Sequence, residues 1–354
     1  MERRAHAIGG LRSRPRTWLV TGAAGFIGSH LVERLLGLGQ EVRELDDFST
    51  GSRANLDEVR AAAGEAAWGR FSLVEGDIRD PAACARALRG VSLVLHQAAL
   101  GSVQRSIARP FEVQSVNVGG FLRVALAARD AGCERLVYAS SSSVYGDHPA
   151  LPRREDTLGA PLSPYAATKR ANELFAASLA HTYGLRSVGL RYFNVFGPRQ
   201  DPRAPHAAVV PRWIAALLAG ERPRVFGDGS RSRDFCPVAV AVEANLLAAT
   251  APELIDGAAY NVALGRRTTL LELLALLRES LAARGVSASG LEPLHGEARA
   301  GDVRHSEADT SRARAALGLR PATDLEHGIE ATVDWFLARR DPFGPSLSGS
   351  EDAG

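Results

Sequence analysis

Residues 17–28 read TWLVTGAAGFIG, an apolar run that leads directly into a glycine-rich turn. The run from Thr17 to Thr21 predicts a short buried strand, and the pattern from Ser29 to Leu38 predicts a helix. Strand, glycine turn and helix in this order are the context in which proteins bind dinucleotides. The stretch therefore predicts an α/β fold that begins with a nucleotide-binding unit.

The three glycines of the turn have separate roles in such a unit. A tight turn needs Gly22, close approach of a pyrophosphate to the backbone needs Gly25, and close packing of helix on strand needs Gly28. The N-terminus of the helix adds main-chain amides and the positive end of its dipole. We therefore expect the pyrophosphate of a dinucleotide at this turn.

An acidic pair follows the second predicted strand, Glu41 to Leu45. Asp46 and Asp47 stand about 20 residues after the glycine turn, where a carboxylate accepts hydrogen bonds from the adenosine ribose and repels a 2′-phosphate. The pair predicts NAD rather than NADP as the cofactor. The alternative is a solvated acidic pair at the end of a strand.

Further apolar runs predict more strands of the same sheet, at Phe71 to Glu75, Val91 to His96, Arg135 to Ser140 and Leu185 to Arg191. Their alternation with helical segments predicts a Rossmann-type doubly wound parallel sheet. Beyond Tyr192, proline and glycine break the chain into short pieces, which predicts a smaller mixed C-terminal substrate lobe. The predicted division is disordered tails at 1–16 and 341–354, an NAD-binding domain at 17–191 with about 236–262, and a substrate lobe at 192–235 and 263–340.

Lys169 is the only lysine among the 42 basic residues of the chain, and all the others are arginines. It follows Tyr165 by four positions on a helix predicted to start at Pro164, behind a Ser163 cap, and to reach about His181. Residues four apart share a helix face, so a phenol and an ammonium point into the same space. A nearby positive charge favours the phenolate, so we expect a lowered tyrosine pKa and a general acid/base. The alternative is an ordinary surface pair on an amphipathic helix.

Length and composition set outer bounds on function. The chain has 354 residues, 45% of them hydrophobic, and its net charge of +2 with dispersed arginines argues against a nucleic-acid partner. Cys84, Cys133 and Cys236 are far apart and lack histidines at metal-ligand spacing, so we expect a reducing compartment and no metal. The sequence contains no apolar run of membrane-spanning length and no signal-peptide core. We expect a cytoplasmic protein without a membrane partner.

Seven motifs occur in order between residues 21 and 202: TGAAGFIG, LDDFSTG, GDIRD, HQAA, SSSSVYG, YAATK and RYFNVFGPRQDP. From about Trp18 to Phe336 the sequence resembles the extended short-chain dehydrogenases/reductases, in particular their NAD-dependent nucleotide-sugar epimerase/dehydratase group. Within that group it is most similar to bacterial UDP-N-acetylglucosamine 4-epimerases. That closer likeness is carried by HQAALGSVQRSI, YGDHPALP, PLSPYAATK, RYFNVFGPRQDP and SRDFCPV.

The resemblance implies a catalytic set of Ser141, Tyr165 and Lys169. Tyr165, as phenolate, takes the proton of the sugar 4-hydroxyl, Ser141 hydrogen-bonds the same hydroxyl, and Lys169 holds the nicotinamide ribose and lowers the tyrosine pKa. Sugar 4,6-dehydratases of the group carry acids at the two positions after the catalytic Ser/Thr, and here these are Ser142 and Ser143. Hydroxyls cannot do that acid/base work, so the resemblance favours epimerisation over dehydration.

The resemblance also implies which residues contact each ligand. The NAD contacts are Gly22, Gly25, Phe26, Ile27, Gly28, Asp46, Asp47, Asp77, Ile78, Ala98, Ala99, Asn117, Tyr165, Lys169 and Tyr192. The UDP-sugar contacts are Gly101, Ser142, Ser143, Asn194, Gln200, Ala208, Arg233, Arg299, Asp302 and Ser306. Arg233 and Arg299 suit a diphosphate, because a guanidinium pairs with phosphate oxygens in bidentate fashion. Ser306 stands where glucose-specific 4-epimerases carry a bulky tyrosine, so this small residue leaves room for an N-acetyl group.

The expected activity is NAD-dependent 4-epimerisation of a UDP-N-acetylhexosamine (UDP-GlcNAc/UDP-GalNAc, or the uronic acid forms) through a transient 4-keto sugar, for polysaccharide biosynthesis. The chain departs from its close relatives at 203–206, and after Pro237 it reads VAVAVEA instead of carrying an Asp-Asn pair. UDP-glucose or UDP-glucuronate therefore stays open as the substrate, and so do another nucleotide-sugar oxidoreductase and a non-catalytic NAD sensor. A homodimer is expected by resemblance, with helices at roughly Val113 to Ala131 and Pro164 to His181 packing as a four-helix bundle.

Overall fold

The computed structural model describes residues 9–204, 207–252, 254–297 and 303–339. Its strands are β1 (Thr17–Thr21), β2 (Glu41–Asp46), β3 (Phe71–Glu75), β4 (Leu93–His96), β5 (Arg135–Ser141), β6 (Ser187–Tyr192), β7 (Val195–Phe196), β8 (Arg224–Phe226), β9 (Ser232–Arg233), β10 (Cys236–Pro237), β11 (Ala258–Val262), β12 (Thr268–Thr269) and β13 (Leu294–Gly296). The main sheet has seven parallel strands in the order β3-β2-β1-β4-β5-β6-β11. The strand order reverses beside β1, which confirms the predicted Rossmann-type doubly wound sheet.

The helices lie partly on the two faces of this sheet and partly in a smaller lobe. They are α1 (Phe26–Gly37), α2 (Arg53–Ala63), α3 (Glu65–Trp68), α4 (Pro81–Leu88), α5 (Val103–Ala108), α6 (Pro110–Gln114), α7 (Phe121–Asp130), α8 (Pro164–Tyr183), α9 (Val209–Leu218), α10 (Val238–Thr250), α11 (Leu270–Ala282), α12 (Ser311–Leu317) and α13 (Leu325–Ala338). A π-helical segment, Ser115–Gly120, joins α6 to α7, and a 3-10 turn, Ser142–Tyr145, follows β5.

Side chains of β1 alternate between two hydrophobic cores. Trp18 and Val20 are buried on one face with residues of α1 and α10, and Leu19 is buried on the other face with residues of α4 and α7. Successive side chains of a strand point to opposite faces, and both faces of a parallel sheet are covered. This double burial is why the strand reads as an unbroken apolar run.

Local sequence fixes both ends of α8. The Ser163 hydroxyl accepts a hydrogen bond from the Ala166 amide at 3.1 Å, and Pro164 occupies the first turn. Gly184 ends the helix in the left-handed conformation, with φ at 66°. The helix predicted from Pro164 is confirmed, and it continues to Tyr183.

The second long helix includes a feature that was not predicted. The helix expected at roughly Val113 to Ala131 contains the π-helical segment 115–120, in which Asn117 is buried. A Cβ on Gly120 would overlap the end of the Ile78 side chain, so a larger residue there would have to displace that side chain. The helix predicted at roughly Val113 to Ala131 is therefore present, but apolar spacing did not reveal where its hydrogen-bond pattern widens.

A smaller lobe contains most of the remaining elements. Its short strands pair as β8 with β13, β9 with β12 and β7 with β10, and only β9 and β12 run antiparallel. Side chains from α9, α11 and α13 form its core, among them Trp213, Leu277 and Phe336. The lobe is mixed in structure, as predicted, while β11 returns to the edge of the main sheet.

The described part of the N-terminal segment is ordered against the main domain. Residues 9–13 are helical, Leu11 is buried, and the Gln40 side-chain amide donates to the Leu11 carbonyl at 2.7 Å. The predicted disordered tail at 1–16 is therefore wrong for residues 9–16, because a single leucine among arginines and glycines gave no apolar pattern. The other predicted tail, 341–354, lies outside the described residues. In the described ranges, no helix combines the length and the apolar character needed to cross a bilayer.

Candidate active site

A cleft of about 530 Å³ opens at the carboxyl ends of the central strands. Doubly wound sheets bind ligands at this edge, beside the point where the strand order reverses. The cleft brings together most residues predicted to bind the cofactor, namely Gly22, Gly25, Phe26, Ile27, Gly28, Asp46, Asp47, Asp77, Ile78, Ala98, Ala99, Tyr165, Lys169 and Tyr192. The catalytic candidate Ser141 lines the same cleft.

The glycine turn is shaped by close backbone contacts. Gly22 has a positive φ of 69°, and a Cβ there would lie 2.7 Å from the Ala98 amide nitrogen. A Cβ on Gly28 would lie 2.1 Å from the Gly22 carbonyl oxygen. Gly25 precedes α1 without a side-chain cap, which leaves the helix N-terminus open to the cleft. The turn fits the pyrophosphate of a dinucleotide, as predicted.

The Asp46 carboxylate secures the loop that follows β2. One of its oxygens accepts from the Ala24 amide at 3.0 Å and the other from the Phe48 amide at 2.8 Å. Burial raises the pKa of Asp46, although these two bonds oppose the shift. Asp47 is exposed and accepts from the amide and the hydroxyl of Ser49 at 3.0 and 2.6 Å. Two carboxyls at this edge of the cleft fit a free ribose better than a ribose phosphate, as NAD requires.

Tyr165 and Lys169 face the cleft from α8. Lys169 is only 4% exposed, and its ammonium donates to the carbonyl of Ala139, on β5, at 2.8 Å. The ammonium nitrogen lies 5.9 Å from the centre of the Tyr165 ring. Burial lowers the pKa of Lys169 to about 8. Helix and strand thus bring the phenol, the ammonium and the Ser141 hydroxyl into one site.

The pKa of Tyr165 contradicts the expectation from the sequence. Burial raises the pKa of Tyr165, and the hydrogen bond with Ser141 lowers it by less than burial raises it. The prediction of a lowered tyrosine pKa is therefore wrong for the structure. Spacing revealed that Lys169 is near, but not that the phenol is half-buried at the wall of the cleft, and burial disfavours the phenolate.

A closed triangle of hydrogen bonds orients the predicted cofactor residue Tyr192. Its hydroxyl donates to the Gln97 side chain at 3.0 Å and accepts from the Asn245 side chain at 2.7 Å, while Gln97 donates to Asn245 at 3.0 Å. Gln97 lines the cleft but was not predicted as a site residue. The signal was its position directly after the end of β4, in the HQAA motif.

Asn117 is buried next to the cleft and hydrogen-bonds one of the residues that line it. It was predicted to contact NAD, yet it is buried and does not line the cleft. Its side chain accepts from the Leu100 amide at 2.8 Å and donates to the Leu100 carbonyl at 3.1 Å. Asn117 therefore holds the loop that continues to Gly101, and its predicted direct contact stays a prediction.

The residues predicted to bind the sugar nucleotide fall into separate groups. Gly101, Ser142 and Asn194 line the cleft itself. Ser143 follows in the 3-10 turn, where its amide donates to the Ser141 hydroxyl at 3.2 Å. Gln200 and Ala208 line a second pocket of about 470 Å³, which shares the turn residues 25–26 and 50–51 with the cleft.

Arg233 and Ser306 lie on neighbouring segments of the smaller lobe, away from the walls of the cleft. The Arg233 guanidinium donates to the carbonyl of Ser232 at 2.9 Å, and the Ser306 amide donates to that same carbonyl at 3.1 Å. Arg299 and Asp302 lie outside the described residues. The prediction that these four residues bind the diphosphate and the sugar stays a prediction.

Several cleft residues were missed by reasoning from the sequence. They are Leu45, Ser49, Thr50, Gly51, Gly76, Gln97, Leu100, Val116, Ala139, Ser140 and Val195. Most of them directly precede or follow a predicted residue at the end of a strand. Their position next to those residues in the sequence could therefore have been used to predict them. Among the described side chains, no group of three metal-binding residues is brought together.

Known proteins share this fold and these motifs. The sequence matches the NAD dependent epimerase/dehydratase family over residues 18–263. It is 40% identical to a UDP-glucose 4-epimerase of Mycolicibacterium smegmatis over 325 residues, which covers 90% of this chain and 97% of that protein. The solved structure of a UDP-N-acetylglucosamine 4-epimerase from Methanobrevibacter ruminantium M1, in complex with UDP-N-acetylmuramic acid, has a TM-score of 0.84 and 36% identity, covering 92% of this chain and 99% of that chain.

Another similar solved structure is that of an enzyme named for a different reaction. It is a dTDP-glucose 4,6-dehydratase from Streptomyces venezuelae with NAD bound, with a TM-score of 0.81 and 33% identity, covering 92% of this chain and 98% of that chain. Fold and overall identity therefore define the family, while the reaction must be argued from the site residues. By its sequence match and its site, the chain belongs to the NAD dependent epimerase/dehydratase family.

Proposed function

We propose that the chain is an NAD-dependent UDP-sugar 4-epimerase that interconverts a UDP-N-acetylhexosamine and its 4-epimer. The observation that carries the proposal is the meeting of Ser141, Tyr165 and Lys169 at one cleft, with Ser142 rather than an acid as the next residue. NAD, when bound, supplies the acceptor that takes a hydride from the sugar and returns it. The reaction is redox-neutral, since the cofactor ends in its starting state.

The residues of the chain handle the proton of the sugar. Tyr165, as phenolate, accepts the proton of the 4-hydroxyl when the alcohol becomes a ketone, and returns it when the ketone is reduced. Ser141 hydrogen-bonds the phenol, and we assign its hydroxyl a hydrogen bond to the same sugar hydroxyl. Lys169 keeps a positive charge beside the phenol, from a buried position fixed by the Ala139 carbonyl. A positive charge at this place opposes the effect of burial, which raises the pKa of Tyr165.

Ser142 and Ser143 argue against dehydration. Eliminating water from a 4-keto sugar requires one group to remove a proton and another to protonate the leaving hydroxyl. The two positions after Ser141 carry serine hydroxyls, which are too weakly acidic and too weakly basic near neutral pH to serve as the general acid and base of an elimination. In the NAD-bound enzyme, a 4-keto sugar formed here therefore has reduction as its productive fate.

We assign the sugar nucleotide to the segments 192–235 and 263–340, with Arg233 beside the diphosphate and Ser306 beside the 2-substituent of the hexose. Arg233 supports this because a guanidinium suits phosphate oxygens. Ser306 supports an acetamido group because a small side chain leaves space for it. UDP-glucose and UDP-glucuronate remain the alternative substrates, since a UDP-glucose 4-epimerase and a UDP-glucuronate 4-epimerase are similar over 90% and 92% of the chain.

Incubation of the purified, NAD-loaded protein with single UDP-sugars tests the proposal. UDP-GlcNAc, UDP-GlcNAcA, UDP-glucose and UDP-glucuronate are supplied separately, and each product is resolved by anion exchange and NMR. We expect the highest kcat/KM on an N-acetylated sugar. Faster turnover of UDP-glucose or UDP-glucuronate would replace the substrate assignment, and a 4-keto-6-deoxy product or no product at all would contradict the epimerase proposal.

We also propose a homodimer formed through the outer faces of α5, α6 and α8. Large apolar side chains are exposed along these helices: Val103, Ile107, Phe111, Leu174, Phe175 and Tyr183. Phe111 is 89% exposed, which is unfavourable for an apolar ring left in water. A second copy of the same faces would bury this surface in a symmetric contact.

Light scattering of size-separated protein tests the dimer. Phe111→Asp combined with Leu174→Asp is expected to give monomers, whereas Ile255→Asp, at an exposed apolar residue elsewhere, is the matched control. A monomeric unmodified protein would contradict the assembly. The three cysteines are free thiols, which supports a reducing compartment such as the cytoplasm. From the proposed substrate we also infer that the enzyme supplies activated sugars for polysaccharide biosynthesis.

A further inference from the structure

A buried ion pair lies directly behind the proposed catalytic residues. The Arg191 guanidinium donates to both oxygens of Glu173, from Nε to Oε1 at 2.8 Å and from Nη2 to Oε2 at 2.9 Å. Both side chains are almost completely buried. A planar guanidinium that binds a carboxylate through two parallel bonds has a fixed orientation, which a lysine could not reproduce.

The pair joins the catalytic helix to the strand that carries Ser141. Glu173 lies on α8 one helical turn after Lys169, and Arg191 lies on β6 directly opposite Ser140 of β5. The Ser140 hydroxyl donates to Glu173 Oε1 at 2.6 Å. The residue just before Ser141 is therefore hydrogen-bonded to the helix that carries Tyr165.

The Glu173–Arg191 pair also contacts the C-terminal end of the 3-10 turn Ser142–Tyr145. Arg191 Nη1 donates to the Tyr145 hydroxyl at 3.0 Å and to the Glu155 carbonyl at 3.2 Å. Tyr145 is the last residue of the turn Ser142–Tyr145, and its hydroxyl donates to Asn261 at 2.5 Å. Both flanks of the segment 141–143 are thus bonded to one ion pair.

We propose that Glu173 and Arg191 are positioning residues that fix Ser141 relative to Tyr165 for proton transfer, a role that rests on the proposed epimerase function. A buried ion pair contributes little net stability, because removing both charges from water costs about as much free energy as their attraction returns. Apolar residues of similar volume at these two positions would give a fold of similar stability. Their geometry instead ties the two elements of the proton relay to each other. Displacements of about 1 Å in such an arrangement can reduce turnover by roughly a hundredfold.

Arg191→Lys is the principal test, because it keeps the positive charge but cannot form the two parallel hydrogen bonds to the Glu173 carboxylate. Arg135→Lys is the matched control: Arg135 is equally buried, but lies at the opposite end of β5, where it donates to the carbonyls of Ala248 and Ala251. We expect kcat of the NAD-loaded Arg191→Lys enzyme to fall at least about tenfold, with KM and NAD content changed less than about threefold. The control should keep kcat within about twofold while losing similar thermal stability.

Two milder variants keep the proposal falsifiable if Arg191→Lys does not fold. Ser140→Ala releases only the strand side, and Tyr145→Phe releases only the far end of the turn. A fall in kcat in either variant, at unchanged NAD content, supports positioning, and kcat within about twofold of wild type in all folded variants overturns it.

The outcome can be separated from failure of the epimerase proposal. If the unmodified enzyme turns over no UDP-sugar, the ionisation of Tyr165 is measured instead, as the ultraviolet difference between each protein and the same protein with Tyr165→Phe. A shift of the phenol pKa in Ser140→Ala, but not in Arg135→Lys, supports the positioning role. An unchanged phenol pKa in Ser140→Ala overturns it.

Discussion

The ammonium nitrogen of Lys169 lies 5.9 Å from the centre of the Tyr165 ring and donates at 2.8 Å to the carbonyl of Ala139, two residues before Ser141 on β5. One buried cation therefore links α8 to β5, the strand that carries Ser141. In a chain whose other basic residues are all arginines, this position requires a compact ammonium.

Lys169→Arg is expected to lose activity although the charge is kept. The buried site is shaped for a single nitrogen donating to Ala139, and a planar guanidinium would displace the phenol or the strand end. We expect kcat to fall by about a hundredfold, as misplacement of reacting groups does elsewhere. Steady-state kinetics of the NAD-loaded variant measures this, with Arg123→Lys on the neighbouring helix as the control. Near-normal kcat in Lys169→Arg would contradict the argument.

The lowered pKa of Lys169 predicts how stability changes with pH in protein freed of NAD. Because burial lowers the pKa of Lys169 to about 8, the unfolded chain holds more protons between that value and the ordinary value near 10.5. The free energy of unfolding should therefore rise with pH across this window, by up to about 1.4 kcal/mol per pH unit from this group. Urea titrations from pH 7 to 10 measure the slope. The same slope in Lys169→Met would assign it to other groups.

Tyr165→Phe is expected to remove turnover and leave the fold intact. The phenol is the proposed proton acceptor, and general acid–base catalysis contributes about 10²- to 10⁴-fold to such reactions. Because burial raises the pKa of Tyr165, kcat of the unmodified enzyme should also increase as the pH rises above neutrality. The control is Tyr183→Phe, at an exposed tyrosine near the end of the same helix. NAD content, measured after denaturation, should match wild type in both variants, and a Tyr165→Phe enzyme of normal kcat would exclude the phenol.

Two glycines of α1, Gly28 and Gly37, should respond to alanine substitution with opposite changes in stability. A Cβ on Gly28 would overlap the Gly22 carbonyl, so Gly28→Ala should destabilise the fold and lower NAD affinity. Gly37, at the end of the same helix, has open space around its Cα, so Gly37→Ala should stabilise by up to about 1 kcal/mol. Thermal unfolding and NAD titration measure both. Equal effects of the two substitutions would mean that the turn tolerates a Cβ.

Features encoded by neighbouring residues could be predicted from the sequence. The turn at 22–28 and the helix from Pro164 depend on local spacing and capping, and both are observed. The order of the apolar runs likewise predicted the parallel sheet. These features need no knowledge of distant contacts.

Features that depend on distant residues could not be predicted in this way. The raised pKa of Tyr165 results from burial by the assembled fold, and the Gln97–Tyr192–Asn245 triangle joins three elements far apart in sequence. The π-helical segment around Asn117 depends on packing beside Gly120, which apolar periodicity does not report.

Ser306→Tyr is expected to change which sugar the enzyme accepts. The Ser306 amide is fixed by the Ser232 carbonyl at 3.1 Å, beside Arg233, so a larger side chain at this position would extend from a defined point of the smaller lobe. If the acetamido group lies beside Ser306, a tyrosine side chain would occupy the space of that group. The smaller 2-hydroxyl of UDP-glucose would still fit. We expect the ratio of kcat/KM for UDP-GlcNAc to that for UDP-glucose to fall at least about tenfold, the effect of roughly 1.4 kcal/mol in the pocket. The exposed Ser287→Tyr is the control, and an unchanged ratio in Ser306→Tyr would place the 2-substituent elsewhere.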